Sequence, residues 1–282
     1  MTSATAETIT RTRNKGRPAG GSTLTRGSAL GLGVSVMWFS LLVLIPLAAV
    51  VATAAGGGWD QYVTTLSNDQ TWAAIRLTVG QSLIVTAVNA VIGTVIAWVL
   101  VRDRFWGKSA MDVVIDIPFA LPTIVAGLVL LSLYGTNSPL GLEWANTKNS
   151  VLLALAFVTL PFVVRAVQPV LEELDRDVEE AAASLGASRF TIFRRIILPS
   201  LTPAIAAGAA LSFARAISEY GSLVLLSGNL PFHTEVVSVR VLTFIENGNN
   251  AGAAALASVM LAVALIVIVG LDLLQRRVAR RG

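Results

Sequence analysis

Hydrophobic and polar positions along this chain separate into long blocks instead of alternating at short period. Residues 30 to about 54 are nearly unbroken apolar sequence, and five further runs follow at about 77–101, 113–135, 149–171, 203–227 and 252–275. Each has roughly the 17–25 residues that cross a hydrocarbon core about 30 Å thick. Helices satisfy their own backbone groups in lipid, which an open sheet cannot do. The pattern therefore predicts an all-α polytopic membrane protein with six transmembrane helices. Pro118 and Pro122 stand near the start of the third run and predict a kink there. In the fifth and sixth runs, residues 204–210 and 251–258 supply small side chains that let helix backbones approach closely.

One long polar interruption breaks this pattern, at about 172–202. Leu171, Leu174, Val178, Ala182 and Leu185 recur at three- and four-residue steps, and Glu172, Glu173, Asp175, Asp177 and Glu179 fill much of the remainder. That spacing predicts an amphipathic helix. Gly186 sits where the stripe stops, as a residue able to take φ > 0 at a helix end would. A turn and a second short helix are expected next, with Pro199 and Pro203 separating the unit from the following span. Such a knuckle has two uses. It packs against loops of its own chain, or it docks a partner protein at the membrane surface.

Composition narrows the class. The chain has 282 residues, 54% hydrophobic and only 13% charged, against about 25% charged in ordinary soluble domains. The net charge of +4 is too small and too dispersed to indicate nucleic-acid binding. Cysteine is absent, which excludes disulfides, thiolate metal sites and cysteine nucleophiles. The single histidine, His233, has no second ligand type clustered beside it, so no metal site is expected. No Gly-rich phosphate loop followed by Lys and Ser/Thr occurs, so any ATP must be handled by another chain. The carboxylates at 172–180 lie on one solvated helix face and read as surface, not as a catalytic pair.

The basic residues set the topology. Of 21 Lys and Arg, a cytoplasmic N-terminus leaves 16 inside and three outside, the three being Arg76, Lys148 and Arg240. Arg165 and Arg215 remain within the spans. Positive charge concentrates on the inner side of such proteins, so both termini and the knuckle are expected in the cytoplasm. Residues 1–28 read as a disordered basic tail and 29–76 as the first span with its outer loop. Residues 77–275 form the main transmembrane domain, and 276–282 a second basic tail. The first apolar run is nearly twice the length of a signal-peptide core and reads as an uncleaved span.

Ionisable residues inside a span are costly and usually have a role. Arg215, counted from an inner end at residue 203, falls near the midplane, with Glu219 four residues on along the same helical face. Arg165 lies nearer the inner side, with Asp116 as a candidate partner. Each pair serves either to neutralise charge between helices or to line a path for an anion.

The string Glu180-Ala181-Ala182, then Gly186, then Ile196, then Leu198-Pro199 resembles, position for position, the EAA loop of ABC-importer permeases. Segments 116–123, 161–173 and 212–221, with 227–229 and 234–236, are similar to the T-type subunit of the sulfate/thiosulfate branch. Ser218 and Tyr220 depart from the Gly and Phe expected there. The resemblance implies a type I ABC-importer permease (MetI-like) architecture and a non-catalytic membrane subunit. Glu180, Ala181, Ala182, Gly186, Ile196, Leu198 and Pro199 would couple to the ATPase. It also implies two ABC ATPase subunits carrying ATP-Mg, a W-type partner permease and an extracytoplasmic sulfate-binding protein. Molybdate and tungstate permeases are close relatives. A self-sufficient secondary transporter is the alternative from another class. Its mark would be a matched pair of broken helices, and the proline break at 118–122 has no evident twin in the second half.

Overall fold

A computed structural model of the protein describes residues 26–279. The expected basic tail lies outside the described residues up to position 25, as do residues 280–282. The chain divides into two units, Met1–Ala48 and Ala49–Gly282. Described residues of the first begin with α1 (Arg26–Phe39), which passes through a π turn (Ser40–Leu44) into α2 (Ile45–Gly56). The Ile45 N–H donates to the Ser40 carbonyl, the wider step that defines such a turn. The stretch Gly27–Gly56 is long and apolar enough to cross a membrane, and none of its apolar window is buried.

The second unit continues with α3 (Gly58–Ser67), α4 (Asp69–Arg102), α5 (Lys108–Ala120) and α6 (Thr123–Tyr134). Then come α7 (Lys148–Glu173), α8 (Arg176–Ser184), α9 (Arg189–Ile192), a π turn (Phe193–Ile197) and α10 (Leu198–Ile217). It closes with α11 (Gly221–Leu226), α12 (Val237–Glu246) and α13 (Asn250–Ala279). No strand occurs among the described residues. The frame is α4, α7, α10 and α13, with α10 lying against the other three and α4 against α7. Small residues set how closely these helices pass. A Cβ at Gly208 would stand 2.9 Å from the Val163 Cα, and one at Gly93 would stand 2.9 Å from the Val163 Cβ. Any larger side chain would push α4 or α10 off α7. Ala253, Ala254 and Ala255 are buried on α13 in the same manner. Asn89 donates to the Thr159 hydroxyl at 2.8 Å, a polar link between α4 and α7.

Among the described residues five helices are long and apolar enough to span a membrane, and six if the bent pair α5–α6 counts as one span. The third predicted run is therefore not a kinked span but two helices bent by 116°. Pro122 accounts for this, because it drives Leu121 out of helical geometry to φ −85° and ψ 135°. Pro118 sits inside α5 without ending it.

The fifth predicted run is also corrected. A single helical stretch runs from Arg189 to Ile217, and the chain then breaks before α11. Pro199 and Pro203 consequently do not separate the knuckle from the span. Pro199 stands just after the π turn and Pro203 lies inside α10, so both are carried within the continuous helix. The break at 218–220 is the twin that the sequence did not reveal. It has no proline. Its cause is tertiary: Gly221 lies on Thr123, and a Cβ at Gly127 would meet the Ser222 carbonyl oxygen at 2.7 Å. The two broken regions thus press on one another, α11 against α6.

Candidate functional site

The knuckle begins where Leu174 leaves helical geometry, at φ −64° and ψ 121°. Asp175 then starts α8 by accepting from the Asp177 N–H at 2.9 Å. This divides the predicted stripe. Leu171 and Leu174 remain with the span core, and Ala182 turns towards it, whereas Val178 is 50% and Leu185 90% exposed. The stripe is therefore not one buried face, because a helix boundary falls inside it.

Gly186 takes φ 84° as the spacing predicts. Its N–H donates to the Ala183 carbonyl at 2.9 Å, and the Ala187 N–H reaches the Ala182 carbonyl at 3.1 Å. These two bonds close α8 in a Schellman motif. Ser188 then caps the next helix by accepting from the Thr191 N–H at 3.2 Å. Glu180, Ala181, Gly186 and Pro199 are exposed, while Ala182, Ile196 and Leu198 are half-buried. Ala182 and Ile196 pack on a core that includes Leu171, Ile192 and Ile197. Leu185 and Phe190, the latter 70% exposed, form an apolar tip that none of the described residues covers.

The acidic face is not wholly solvated. Glu179 forms an ion pair with Arg102 at the end of α4. The Arg102 guanidinium lies 5.5 Å from the centroid of the Trp98 ring, and Trp98 meets Phe193 edge-on at 5.7 Å. The C-terminal end of α4 thus grips both arms of the knuckle. No sequence signal pairs residues so far apart, and an acidic run on a polar helix reads as surface.

Arg165 finds Asp116, as expected, and also Asp112 and Gln168, which were not expected. Its Nε and Nη2 donate to the two Asp116 oxygens at 2.8 and 2.7 Å. Its Nη1 donates to Asp112 Oδ1 at 2.7 Å and to Gln168 Oε1 at 2.6 Å, and Nη2 also reaches the Asp112 carbonyl at 2.8 Å. All five donors of the guanidinium are thereby engaged. The group clamps α5 to α7 and has no donor left over.

Arg215 is placed differently. Residue 203 is not a helix end, so the depth counted from it does not hold. Instead Arg215 occupies the last turn of α10, where unpaired carbonyls favour a cation. Its Nη2 lies 2.7 Å from Glu219 Oε2, and the Glu219 side chain is fully buried against 31% exposure for Arg215. The pair has ionic proximity without hydrogen-bond alignment, since Oε2 accepts no such bond. Glu219 Oε1 accepts from the Ser222 N–H at 2.8 Å and from its hydroxyl at 2.9 Å. Glu219 therefore starts α11 and holds Arg215 beside the break.

The family of binding-protein-dependent transport system inner membrane components matches residues 89–281. The sulfate transport system permease protein CysT of Escherichia coli (strain K12) is 41% identical over 263 residues, covering 90% of this chain and 95% of that protein. Its counterpart in Synechocystis is 40% identical, covering 86% and 87%. Among solved structures, a bacterial alginate ABC transporter in complex with an alginate pentasaccharide-bound periplasmic protein matches at TM-score 0.74. Its identity is 18%, with 89% of this chain and 94% of that chain covered. An inward-facing MetNI methionine ABC transporter matches at TM-score 0.53 and 19% identity, covering 76% and 98%. The exposed knuckle, the broken spans and these likenesses agree, and the chain belongs to the binding-protein-dependent transport system inner membrane components.

Proposed function

We propose that this chain is one permease subunit of an ATP-driven importer for sulfate, with thiosulfate as a second substrate. The observation that carries the reading is the knuckle itself. Leu185 and Phe190 project from it uncovered, while its base is held to α4 by Glu179 and Arg102. A partner seated on that tip would move α4 through the ion pair and α10 through the continuous helix from Arg189. The anion follows from the likeness to sulfate permeases over 90% of the chain.

In this reading two ATPase subunits carry ATP-Mg and each seats one permease knuckle in the cytoplasm. A W-type permease completes the pathway, and an extracytoplasmic binding protein delivers the anion. ATP binding closes the ATPase pair, and the knuckles relay that closure to the spans as alternating access. Arg215 belongs to the anion path, held in place by Glu219. Arg165, with its donors engaged, is a clamp and leaves the proposed path. Competition for radiolabelled sulfate uptake by thiosulfate and molybdate tests the specificity. Strong inhibition by thiosulfate and weak inhibition by molybdate is the expected order, and the reverse order would make this a molybdate or tungstate permease.

The break at 218–220 also fits a second reading, since paired broken helices mark secondary transporters. That feature therefore no longer separates the classes. Family membership and the uncovered knuckle favour the ATP-driven reading, and co-purification of ATPase subunits with the chain is the discriminating observation.

A further inference from the structure

Three basic residues that are far apart in the chain meet around one cavity. Arg76 comes from α4, Lys148 is the first residue of α7, and His233 lies in the loop before α12. The cavity has a volume of about 370 Å³, and among the described residues no carboxylate lines it. Among the described residues neither Arg76 nor Lys148 has an ion-pair partner. The Arg76 guanidinium lies 5.8 Å from the Trp72 ring centroid, a contact that steadies it without using its donors. Gln81 also lines the cavity, and its side-chain oxygen is buried without a partner.

The loop is built to hold this arrangement. Gly228, Asn229 and Phe232 take φ 69°, 50° and 64°. Such a value is unusual for a phenylalanine, and strain of this kind persists only where the surroundings enforce it. Here the Leu230 carbonyl accepts from the N–H groups of His233, Thr234 and Glu235 at 3.1, 2.9 and 3.0 Å. The Leu230 N–H in turn donates to the Thr234 hydroxyl at 3.0 Å. These bonds hold Phe232 and His233 at the cavity wall.

We propose that Arg76, Lys148 and His233 form a receiving site for a tetrahedral divalent oxyanion at the outer mouth of the permease. The placement outside follows the charge asymmetry, and the identity of the anion as sulfate rests on the proposed function. Arg76 offers a planar fork that matches two oxygens, Lys148 a point charge, and His233 an N–H in either protonation state. The N-terminus of α7 adds positive potential at Lys148. Two fixed cations and no anion on the wall suit a charge of −2. A lipid headgroup phosphate shares this chemistry, so the test must separate the two sources.

The absence of cysteine permits a direct probe: Ala73→Cys on the cavity wall, in the assembled complex, in nanodiscs of zwitterionic or of anionic lipid. A negatively charged thiol reagent should react at least about tenfold faster than a neutral one, relative to free thiol. Millimolar sulfate should slow it in both lipids, and Arg76→Gln with Lys148→Gln should remove the preference. Sulfate uptake should fall by a similar factor in that double variant, whereas Arg76→Lys with Lys148→Arg should keep most of it. Unchanged reagent preference and uptake in the double variant would overturn the site. Blockage by anionic lipid alone, with no effect of sulfate, would assign the site to a headgroup and overturn the proposal. Sulfate protection in a complex that imports no sulfate would leave the site standing and overturn only the proposed function.

Discussion

Glu179, on the exposed helix α8, is ion-paired with Arg102, the last residue of the long span α4. Their side chains are only 20% and 13% exposed, so the pair is shielded more than most surface ion pairs. In the proposed function it joins the part of the chain that would meet a partner to the part that crosses the membrane. Glu179→Gln should weaken that joint by about 1.5–3 kcal/mol, the range for hydrogen bonds to charged groups. We predict normal insertion and ATPase binding but reduced uptake per ATP hydrolysed. The swap Arg102→Glu with Glu179→Arg should restore part of it. Wild-type coupling in the single variant would remove this pair from the relay.

The turn at Gly186 gives a second prediction. A β-branched residue held at φ 84° is strained by about 1–3 kcal/mol. Gly186→Val should therefore shift the Leu185 tip and lower uptake while the subunit still inserts. Cross-linking from Ala182→Cys to the ATPase, followed on a gel, should weaken in parallel. Full uptake in the Val variant would mean that the turn is not part of coupling.

Arg215 and Glu219 give a third. Arg215→Gln leaves a fully buried carboxylate without its cation, which should lower the amount of assembled subunit. Adding Glu219→Gln should restore assembly, because the amide oxygen can still accept from Ser222. Uptake should stay low in the double variant while binding-protein-stimulated ATP hydrolysis persists. Recovery of uptake together with abundance would reduce the pair to a structural role.

Arg165 should behave in the opposite way. Four of its five bonds hold α5 to α7, with the partner carboxylates 42% and 49% exposed. Arg165→Lys cannot reproduce that fork. Solvent screening moderates the loss to about 1–3 kcal/mol. A lower melting temperature of the solubilised complex, with an unchanged sulfate KM, is the expected signature. A raised KM at unchanged stability would return Arg165 to the anion path.

How far these elements were legible depended on the range of the cause. The spans were legible because burial in lipid demands long apolar runs, and Gly186 because a helix end with φ > 0 is a local requirement. Pro122 announced one break through its effect on Leu121. The break after Ile217 has no proline to announce it, since it depends on Gly221 pressing on Thr123 and Ser222 on Gly127, nearly a hundred residues away. The stripe from Leu171 to Leu185 misled because period alone does not show that Leu174 leaves the helix. Arg102 meets Glu179, and Arg76, Lys148 and His233 come to line one cavity, only through the tertiary fold, which charge counts along the chain do not reveal.

Orientation is tested by single cysteines in this cysteine-free chain. Glu143→Cys and Asn247→Cys, both at exposed positions, should react with an impermeant thiol reagent from outside. Ser184→Cys, on the knuckle, should react only after the membrane is opened. Labelling of position 184 from outside would remove the ATPase from reach of the knuckle.

The most direct measurement is uptake of radiolabelled sulfate by proteoliposomes holding this chain, its partner permease and the ATPase, with binding protein outside and ATP inside. We predict accumulation that needs ATP, the binding protein and an intact knuckle, and that an ion gradient alone does not drive. Sulfate accumulation by the chain without the ATPase, driven by a proton or sodium gradient, would contradict the ATP-driven mechanism at its root.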